Sequence, residues 1–130
     1  MNSANNHPLL EVKDLEVTFT DDKGSLQALN QINFSVDREQ FICVVGPSGS
    51  GKSTLIRVLA GLLVPTSGEV VLDGIPINEP RQGVGIVFQK ANLMPWRSVL
   101  CNITLPLEIN HVPQNEANER ASELLSLIHI

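Results

Sequence analysis

The stretch from Gly46 to Thr54 constrains this chain more strongly than any other part of its sequence. It reads Gly-Pro-Ser-Gly-Ser-Gly-Lys-Ser-Thr, which matches the phosphate-binding loop pattern of glycine, four residues, glycine, lysine and serine or threonine. Gly46, Gly49 and Gly51 carry no Cβ atom, so the backbone can adopt positive φ values and curve closely around an anion. The N–H groups of the loop and of the following helix would then point at phosphate oxygens.

The polar side chains of this loop have distinct predicted roles. Lys52 is predicted to contact the β- and γ-phosphates of a nucleotide. The Ser53 hydroxyl is predicted to bind Mg²⁺, a hard cation that prefers oxygen ligands, and Thr54 contributes its N–H or hydroxyl. The predicted nucleotide site comprises Gly46, Pro47, Ser48, Gly49, Ser50, Gly51, Lys52, Ser53 and Thr54.

The residues on both sides of the loop agree with this interpretation. Phe41–Val45 is an unbroken apolar run, which predicts a parallel strand buried on both faces. After the loop, apolar residues recur at helical spacing from Leu55 to Leu63, and Gly61 and Pro65 predict the end of that helix. The alternative is a glycine-rich turn that binds nothing, and the order of strand, loop and helix argues against it.

The composition argues against several kinds of partner. In 130 residues there are 9 basic and 14 acidic side chains, a net charge of −5, and no basic patch, so we expect no nucleic-acid partner. The polar start lacks the features of a signal peptide, and we expect residues 1–9 to be disordered. Since no apolar segment approaches the length of a membrane span, we expect an intracellular domain without direct membrane insertion. Cys43 and Cys101 make neither a disulfide framework nor a metal site.

Two alternating runs precede the phosphate loop. Leu15, Val17 and Phe19 alternate with polar residues, and a second run does the same from Ile32 to Val36. Each pattern is typical of a half-buried strand. We therefore predict an antiparallel β layer ahead of the loop.

A hairpin is predicted beyond the helix. Asp73-Gly74 separates the apolar runs Glu69–Leu72 and Ile75–Ile77, and this dipeptide is the strongest short hairpin signal. An apolar run that ends in aspartate also resembles the second nucleotide motif, in which the aspartate holds Mg²⁺. We favour the turn over a metal ligand at Asp73, since no catalytic glutamate follows it.

The last third of the chain alternates apolar segments with loops. Val84–Phe88 predicts another buried strand, and Leu93–Trp96 is an apolar loop. A helix is predicted over Val99–Ile109 with an interruption at Pro106. A final helix is predicted from its apolar face, formed by Ala117, Ala121, Leu124, Leu125 and Ile128.

With these motifs the chain resembles the ATP-binding subunit of an ATP-binding cassette (ABC) transporter from about Leu10 onward. The resemblance rests on the phosphate loop (Walker A), on Gly85–Gln89, which is similar to the family's Q-loop, and on Gly61–Val70, which is similar to its link from the first helix to the next strand. It implies an α/β fold, a P-loop nucleoside-triphosphatase core of ABC type. The N-terminal antiparallel β layer and P-loop core would occupy residues 10–89, and the Q-loop and start of a helical subdomain residues 90–130.

The resemblance also implies roles for individual residues and partners. Phe19 lies where relatives place an aromatic ring that stacks on adenine. Gln89 matches the Q-loop glutamine, which approaches Mg²⁺ and the attacking water, so that Gln89 and Lys52 become the catalytic candidates, with Ser53 and Gln89 as Mg²⁺ ligands. The cofactors implied are ATP and Mg²⁺. The implied partners are a second ATP-binding subunit and a transmembrane permease subunit that contacts Leu93–Trp96, which would hold the protein on the cytoplasmic face of the cell membrane.

Three family motifs do not occur in the 130 residues: the signature Leu-Ser-Gly-Gly-Gln, the Walker B motif and the switch histidine. We therefore expect an incomplete cassette, the N-terminal part of a longer subunit. The Leu93–Trp96 sequence, followed by Ser98 and Asn102, resembles importers of nitrate, sulfonates and taurine, although Cys101 replaces an acidic residue expected there. The resemblance thus implies ATP-driven uptake of a small solute. The alternatives are a non-catalytic nucleotide-binding fragment and a small P-loop phosphotransferase.

Overall fold

The computed structural model describes residues 7–90 and 92–127. Contacts between residues divide the chain into two compact units, Met1–Ile86 and Val87–Ile130. Among the described residues, the first unit contains four strands and one helix: β1 (Leu10–Asp21), β2 (Gly24–Val36), α1 (Lys52–Leu59), β3 (Ser67–Leu72) and β4 (Ile75–Pro76). The second contains two helices, α2 (Val99–Ile109) and α3 (Gln114–Leu127).

The four strands form one antiparallel sheet in the order β2-β1-β3-β4. Strands β1 and β2 are joined by a tight turn that pairs Asp21 with Gly24, and their ladder continues to Leu10 opposite Val36. The predicted antiparallel layer ahead of the phosphate loop is therefore confirmed. The strands are longer than the alternating runs indicated, because three register shifts in β1 absorb residues that break the alternation.

The core of the first unit lies between the sheet and helix α1. Leu15 and Val17 of β1 are buried, as their alternation predicts, and Leu55 and Val58 of α1 pack in the same cluster. Ile56 is half exposed, so the apolar face of this short helix is narrower than predicted. Burial of apolar side chains on this scale is the main force that holds a helix on a sheet.

Helix α1 ends at Leu59, two residues before Gly61, so Leu62 and Leu63 of the predicted helical run lie outside it. Gly61 has φ 71° and is buried, and a Cβ atom on it would lie 2.3 Å from the carbonyl oxygen of Glu79. A left-handed residue just after a helix is the usual device for turning the chain away, and glycine adopts it without steric cost. The Glu79 backbone also lies so close that no side chain fits at position 61, which is a second requirement for glycine there.

The predicted hairpin at Asp73-Gly74 is confirmed. Both residues have positive φ, 53° and 76°, and the flanking pairs are Leu72 with Ile75 and Val71 with Pro76. These angles are those of the hairpin turn whose twist matches the strands. The Asp73 carboxylate lies 2.5 Å from a guanidinium nitrogen of Arg38, so its partner here is a cation of the same unit.

Two predicted strands are wrong. Phe41–Val45 and Val84–Phe88 have no strand structure in the described residues, and Phe41, Val45 and Val87 are 93%, 89% and 98% exposed. A parallel strand exists only where neighbouring strands accept and donate its backbone hydrogen bonds. No strand within residues 7–90 and 92–127 pairs with either segment. Apolar composition predicts that a segment will be buried, but it does not supply the strand that pairs with it.

The second unit is a pair of helices. Ser98 caps α2 by accepting a hydrogen bond from the N–H of Cys101 at 3.2 Å, and the helix runs through Pro106 without a break. The predicted interruption is therefore wrong, since a proline removes one backbone donor and a packed helix can absorb that loss. In α3, Ala117 and Ala121 are buried as predicted, whereas Leu124 is 56% exposed, and Ile128 lies outside the described residues. No helix of the described chain has the length and apolar character needed to cross a membrane.

Candidate nucleotide-binding site

The three glycines of the phosphate loop meet different structural requirements. Gly49 and Gly51 have φ values of 81° and 86°, which side chains disfavour. Gly46, contrary to expectation, is not among the residues with positive φ. A Cβ atom on Gly46 would instead lie 2.8 Å from the Ser50 hydroxyl oxygen, so its lack of a side chain permits the loop to close on itself.

Gly51 joins the loop to both the helix and the sheet. It precedes the first residue of α1, and its carbonyl accepts the N–H of Leu55 at 2.8 Å. A Cβ atom on Gly51 would lie 2.5 Å from the carbonyl oxygen of Ala28 in β2. Only glycine therefore lets the start of the helix rest this closely on the sheet.

The N-terminus of α1 is open to an anion. Its cap residue, Gly51, provides no side-chain hydrogen bond, and no acidic residue lies in its first turn. The first N–H groups of a helix have no partner inside the helix and carry the positive end of its dipole. The backbone donors of Lys52, Ser53 and Thr54 thus remain suited to phosphate oxygens, as the sequence predicts.

The Lys52 ammonium lies within the curve of the loop. Its Nζ atom donates to the carbonyl oxygens of Gly46 at 2.7 Å and Pro47 at 2.6 Å, and to the Ser50 hydroxyl at 3.1 Å. An ammonium has three donors, so the loop itself satisfies all of them. A phosphate that binds Lys52 must replace some of these contacts, which the sequence did not indicate.

The residues of the loop fit a Mg²⁺-nucleotide. Ser53 is exposed at the start of α1, and its hydroxyl makes no hydrogen bond within the described residues. A hydroxyl oxygen beside a lysine and a row of backbone N–H groups is the donor set that such a complex requires. Thr54 is half buried one residue further along the helix.

Phe19 lies in the same unit as the phosphate loop, in the ladder between β1 and β2. It is 44% exposed and pairs with Leu26, while Val17 pairs with Leu29, next to the Ala28 carbonyl that Gly51 approaches. At about 3.4 Å per residue, the two-residue step from Val17 places Phe19 roughly 7 Å further along the strand. A shallow depression of 320 Å³ opens beside its ring.

We expect Phe19→Ala to weaken ATP binding about 5- to 10-fold, because stacking of a base on an aromatic ring contributes at least about 1 kcal/mol. Phe19→Tyr, which keeps the ring face, should bind ATP normally. Titration with ATP and with inorganic triphosphate measures this. The affinity for inorganic triphosphate should not change in either variant, and an equal loss for both ligands in Phe19→Ala would rule out stacking on the base.

Gln89 lies in the second unit, exposed, in a bend after Phe88. Phe19 and the phosphate loop both belong to the first unit, whereas Gln89 does not. Its role as a ligand of Mg²⁺ and of the attacking water therefore stays a prediction.

The second unit contains an ion pair that the sequence did not predict. The Arg97 guanidinium donates to both carboxylate oxygens of Glu108, at 2.8 and 2.7 Å, and Thr104 donates to the same carboxylate at 3.0 Å. These bonds, first from Arg97 and then from Thr104, lower the pKa of Glu108 from its ordinary value of 4.5. The eleven-residue separation of Arg97 and Glu108 hides the pair, because only the fold of the loop against α2 joins them.

The lowered pKa predicts a stability that depends on pH. A carboxyl group whose pKa is lower when folded stabilises the fold above its unfolded pKa and loses that contribution as pH falls through the folded value. Glu108→Gln should therefore remove part of the stability that the second unit loses as pH falls below about 4.5. Helical circular dichroism from pH 7 to 3 measures this, with Glu119→Gln, an exposed carboxyl of α3, as the control. Identical acid transitions in wild type and Glu108→Gln would contradict it.

A family model described as ABC transporter matches residues 29–130. The chain belongs to this family. Among curated ABC proteins, it is 43% identical to an uncharacterized ABC transporter ATP-binding protein of Methanocaldococcus jannaschii, over 92% of this chain and 45% of that protein. It is 41% identical to the nitrate import ATP-binding protein NrtD of Synechocystis (92% and 45%) and 36% identical to the taurine import ATP-binding protein TauB of Pseudomonas putida (94% and 46%).

The fold also matches a solved ABC cassette. The dimeric, post-hydrolysis ATP-binding cassette MJ0796, bound to ADP and Pi, superposes with a TM-score of 0.81 at 31% identity, over 93% of this chain and 57% of that one. The predicted ABC-type P-loop fold is thereby confirmed. This ABC chain spans about half the length of the curated relatives it matches.

Proposed function

We propose that this chain is the nucleotide-binding part of the ATP-binding subunit of an importer, which couples ATP binding and hydrolysis to the uptake of a small solute. The observation that carries the proposal is the conformation of the phosphate loop and its position at the start of α1. Gly51 rests on β2, Lys52 lies inside the loop, and the open end of α1 follows. The relatives, all named for ATP binding and several for import, support the same role.

Some residues of the chain would bind ATP, and Gln89 would orient the attacking water. The N–H groups at the start of α1 and the Lys52 ammonium hold the phosphates, and the Phe19 ring supports the adenine. Water attacks the γ-phosphorus, and the bond from that phosphorus to the bridging oxygen breaks, which leaves ADP and phosphate. Bound Mg²⁺ supplies positive charge at the phosphate oxygens. Gln89 would orient the water.

Two partners complete the proposal. A second ATP-binding subunit is supported by the dimeric cassette that this chain resembles. A permease subunit is supported by the import functions in the names of relatives and by the exposure of Leu93 and Trp96, 63% and 78%. Such exposed apolar residues are typical of interaction surfaces. The protein would therefore lie on the cytoplasmic face of the membrane, held there by the permease.

The substrate is proposed to be a sulfonate, taurine or nitrate. This finer assignment rests on the Leu93–Trp96 segment and on the relatives named for nitrate and taurine import. A strain that lacks the gene should grow poorly when taurine, an alkanesulfonate or nitrate is the single source of sulfur or nitrogen, and a plasmid copy should restore growth. A plasmid copy with Lys52→Ala is the matched control and should not restore it. Normal growth of the deletion strain on all three compounds would contradict the assignment.

A further inference from the structure

The apolar segment Leu93–Trp96 of the second unit ends in a hydrogen-bonded turn in which the tryptophan side chain is exposed. The N–H of Arg97 donates to the Met94 carbonyl at 3.1 Å, which makes Met94–Arg97 a hydrogen-bonded β-turn. Pro95 occupies the second position, where its fixed φ favours the turn. Trp96 occupies the third position and is 78% exposed. An apolar ring of this size would ordinarily fold onto its own domain.

Asn102, in the first turn of α2, holds the first corner of that turn. Its Oδ1 accepts the Met94 N–H at 2.8 Å, and its Nδ2 donates to the Met94 carbonyl at 3.2 Å. The same nitrogen also lies 3.2 Å from the Arg97 carbonyl and 3.0 Å from the Ser98 carbonyl. A carboxamide carries a donor and an acceptor side by side, so it can match both polar groups of one backbone residue. A carboxylate has no donor and an alkyl side chain has neither group, and a hydroxyl group carries its donor and acceptor on one oxygen atom rather than side by side.

The last residue of the turn has a second contact through its side chain. Arg97 pairs with Glu108 near the end of α2, and these two side chains are only 22% and 29% exposed. Trp96 therefore lies between two fixed points, Met94 on Asn102 and Arg97 on Glu108. These contacts restrict the backbone that carries the ring.

We propose that Asn102 is a positioning residue that holds the Met94–Arg97 turn in the shape in which Trp96 contacts the permease subunit. The inference rests on the permease partner proposed above and adds the residue that prepares the surface. An interface formed by an already ordered turn loses less conformational freedom on binding, and buried tryptophans contribute heavily to binding energy. Asn102 acts through the turn and touches neither ATP nor the permease.

The turn itself is tested first, in the chain alone. Trp96 is the sole tryptophan of the 130 residues, so its fluorescence anisotropy reports the mobility of the turn. We expect Asn102→Ala to lower this anisotropy. It should also accelerate hydrogen exchange of the Met94 amide at least about 10-fold, because the bonds of Asn102 to the Met94 N–H and carbonyl are both lost. Asn110→Ala is the matched control. Asn110 directly follows the same helix, and its side-chain amide donates to the Pro106 carbonyl at 2.8 Å, so the substitution should change neither reading. Unchanged exchange and anisotropy in Asn102→Ala would overturn the proposal.

A second variant covers the case in which Asn102→Ala does not fold. Asn102→Asp keeps the acceptor for Met94 and adds a negative charge in the first turn of α2, which the helix dipole favours. It loses both donors and repels the Met94 carbonyl. We expect a folded variant with lowered Trp96 anisotropy, and an anisotropy equal to that of wild type would contradict the inference.

Docking is tested in the assembled transporter, with the subunit titrated onto its permease in lipid vesicles. Trp96→Ala and Asn102→Ala should each weaken assembly about 5- to 10-fold, while the affinity for ATP stays unchanged. In the Trp96→Ala background, Asn102→Ala should have little further effect, because the residue it positions is gone. Full additivity would show that Asn102 acts elsewhere and would overturn the inference. If Trp96→Ala alone leaves assembly unchanged, the proposed docking surface is wrong, and the inference that Asn102 positions it fails as well, even where Met94 exchange responds.

Discussion

Lys52→Ala is expected to weaken binding of Mg²⁺-ATP by about 10- to 100-fold. Lys52 is the one charged side chain between Gly46 and Thr54, and each hydrogen bond from a charged donor contributes roughly 1.5–3 kcal/mol. The loss is smaller than the sum of two such bonds, because in the structure Lys52 already bonds Gly46, Pro47 and Ser50. A phosphate therefore exchanges existing bonds for stronger ones.

Titration of a fluorescent ATP analogue measures this loss. Lys13→Ala is the matched control, since Lys13 is an exposed lysine of the same unit whose ion pairs with Glu11 and Glu69 lie on the surface. Surface pairs of this kind contribute little, so Lys13→Ala should bind ATP like wild type. A folded Lys52→Ala chain with unchanged affinity would exclude Lys52 from the phosphate site.

Features encoded by neighbouring residues were predicted well. The hairpin at Asp73-Gly74, the left-handed Gly61 just after α1 and the phosphate loop are each specified by a few consecutive residues, and the structure has all three. Such turns and caps depend on local backbone preferences, which the sequence carries directly. Most residues of the candidate site lie in one continuous stretch, so the sequence indicates their local backbone conformation, while their roles stay predictions.

Features that depend on distant partners were predicted poorly. The Phe41–Val45 segment has the composition of a buried strand, but a strand needs a neighbour, and none of the described residues supplies it. The contacts of Asn102 and the Arg97–Glu108 pair were missed for the same reason. Asparagine in a helix predicts no particular partner, and its bond to Met94 exists only because the preceding loop folds back on α2.

A second large effect is expected at Gly51, in the stability of the first unit. Gly51→Ala forces a side chain into the left-handed region, at a cost of about 1–2 kcal/mol. It also places a Cβ atom 2.5 Å from the Ala28 carbonyl and 2.9 Å from Leu29, and such overlap costs typically 1–3 kcal/mol. The free energy of unfolding should thus fall by about 2–5 kcal/mol, because the overlap is with backbone and cannot be relieved by a rotamer change.

Gly49→Ala is the matched control, in the same loop and with nearly the same φ, 81° against 86°, but with nothing within 4 Å of the added Cβ atom. It should lose just the conformational part, about 1–2 kcal/mol. Urea unfolding of both variants isolates the cost of contact with β2 as the difference between them. Both variants should bind ATP more weakly, since each needs the loop backbone in a conformation that alanine resists. Equal stabilities of the two would mean that α1 does not rest on β2 through Gly51, and the start of the helix would then have to be held against the sheet by Leu55 alone.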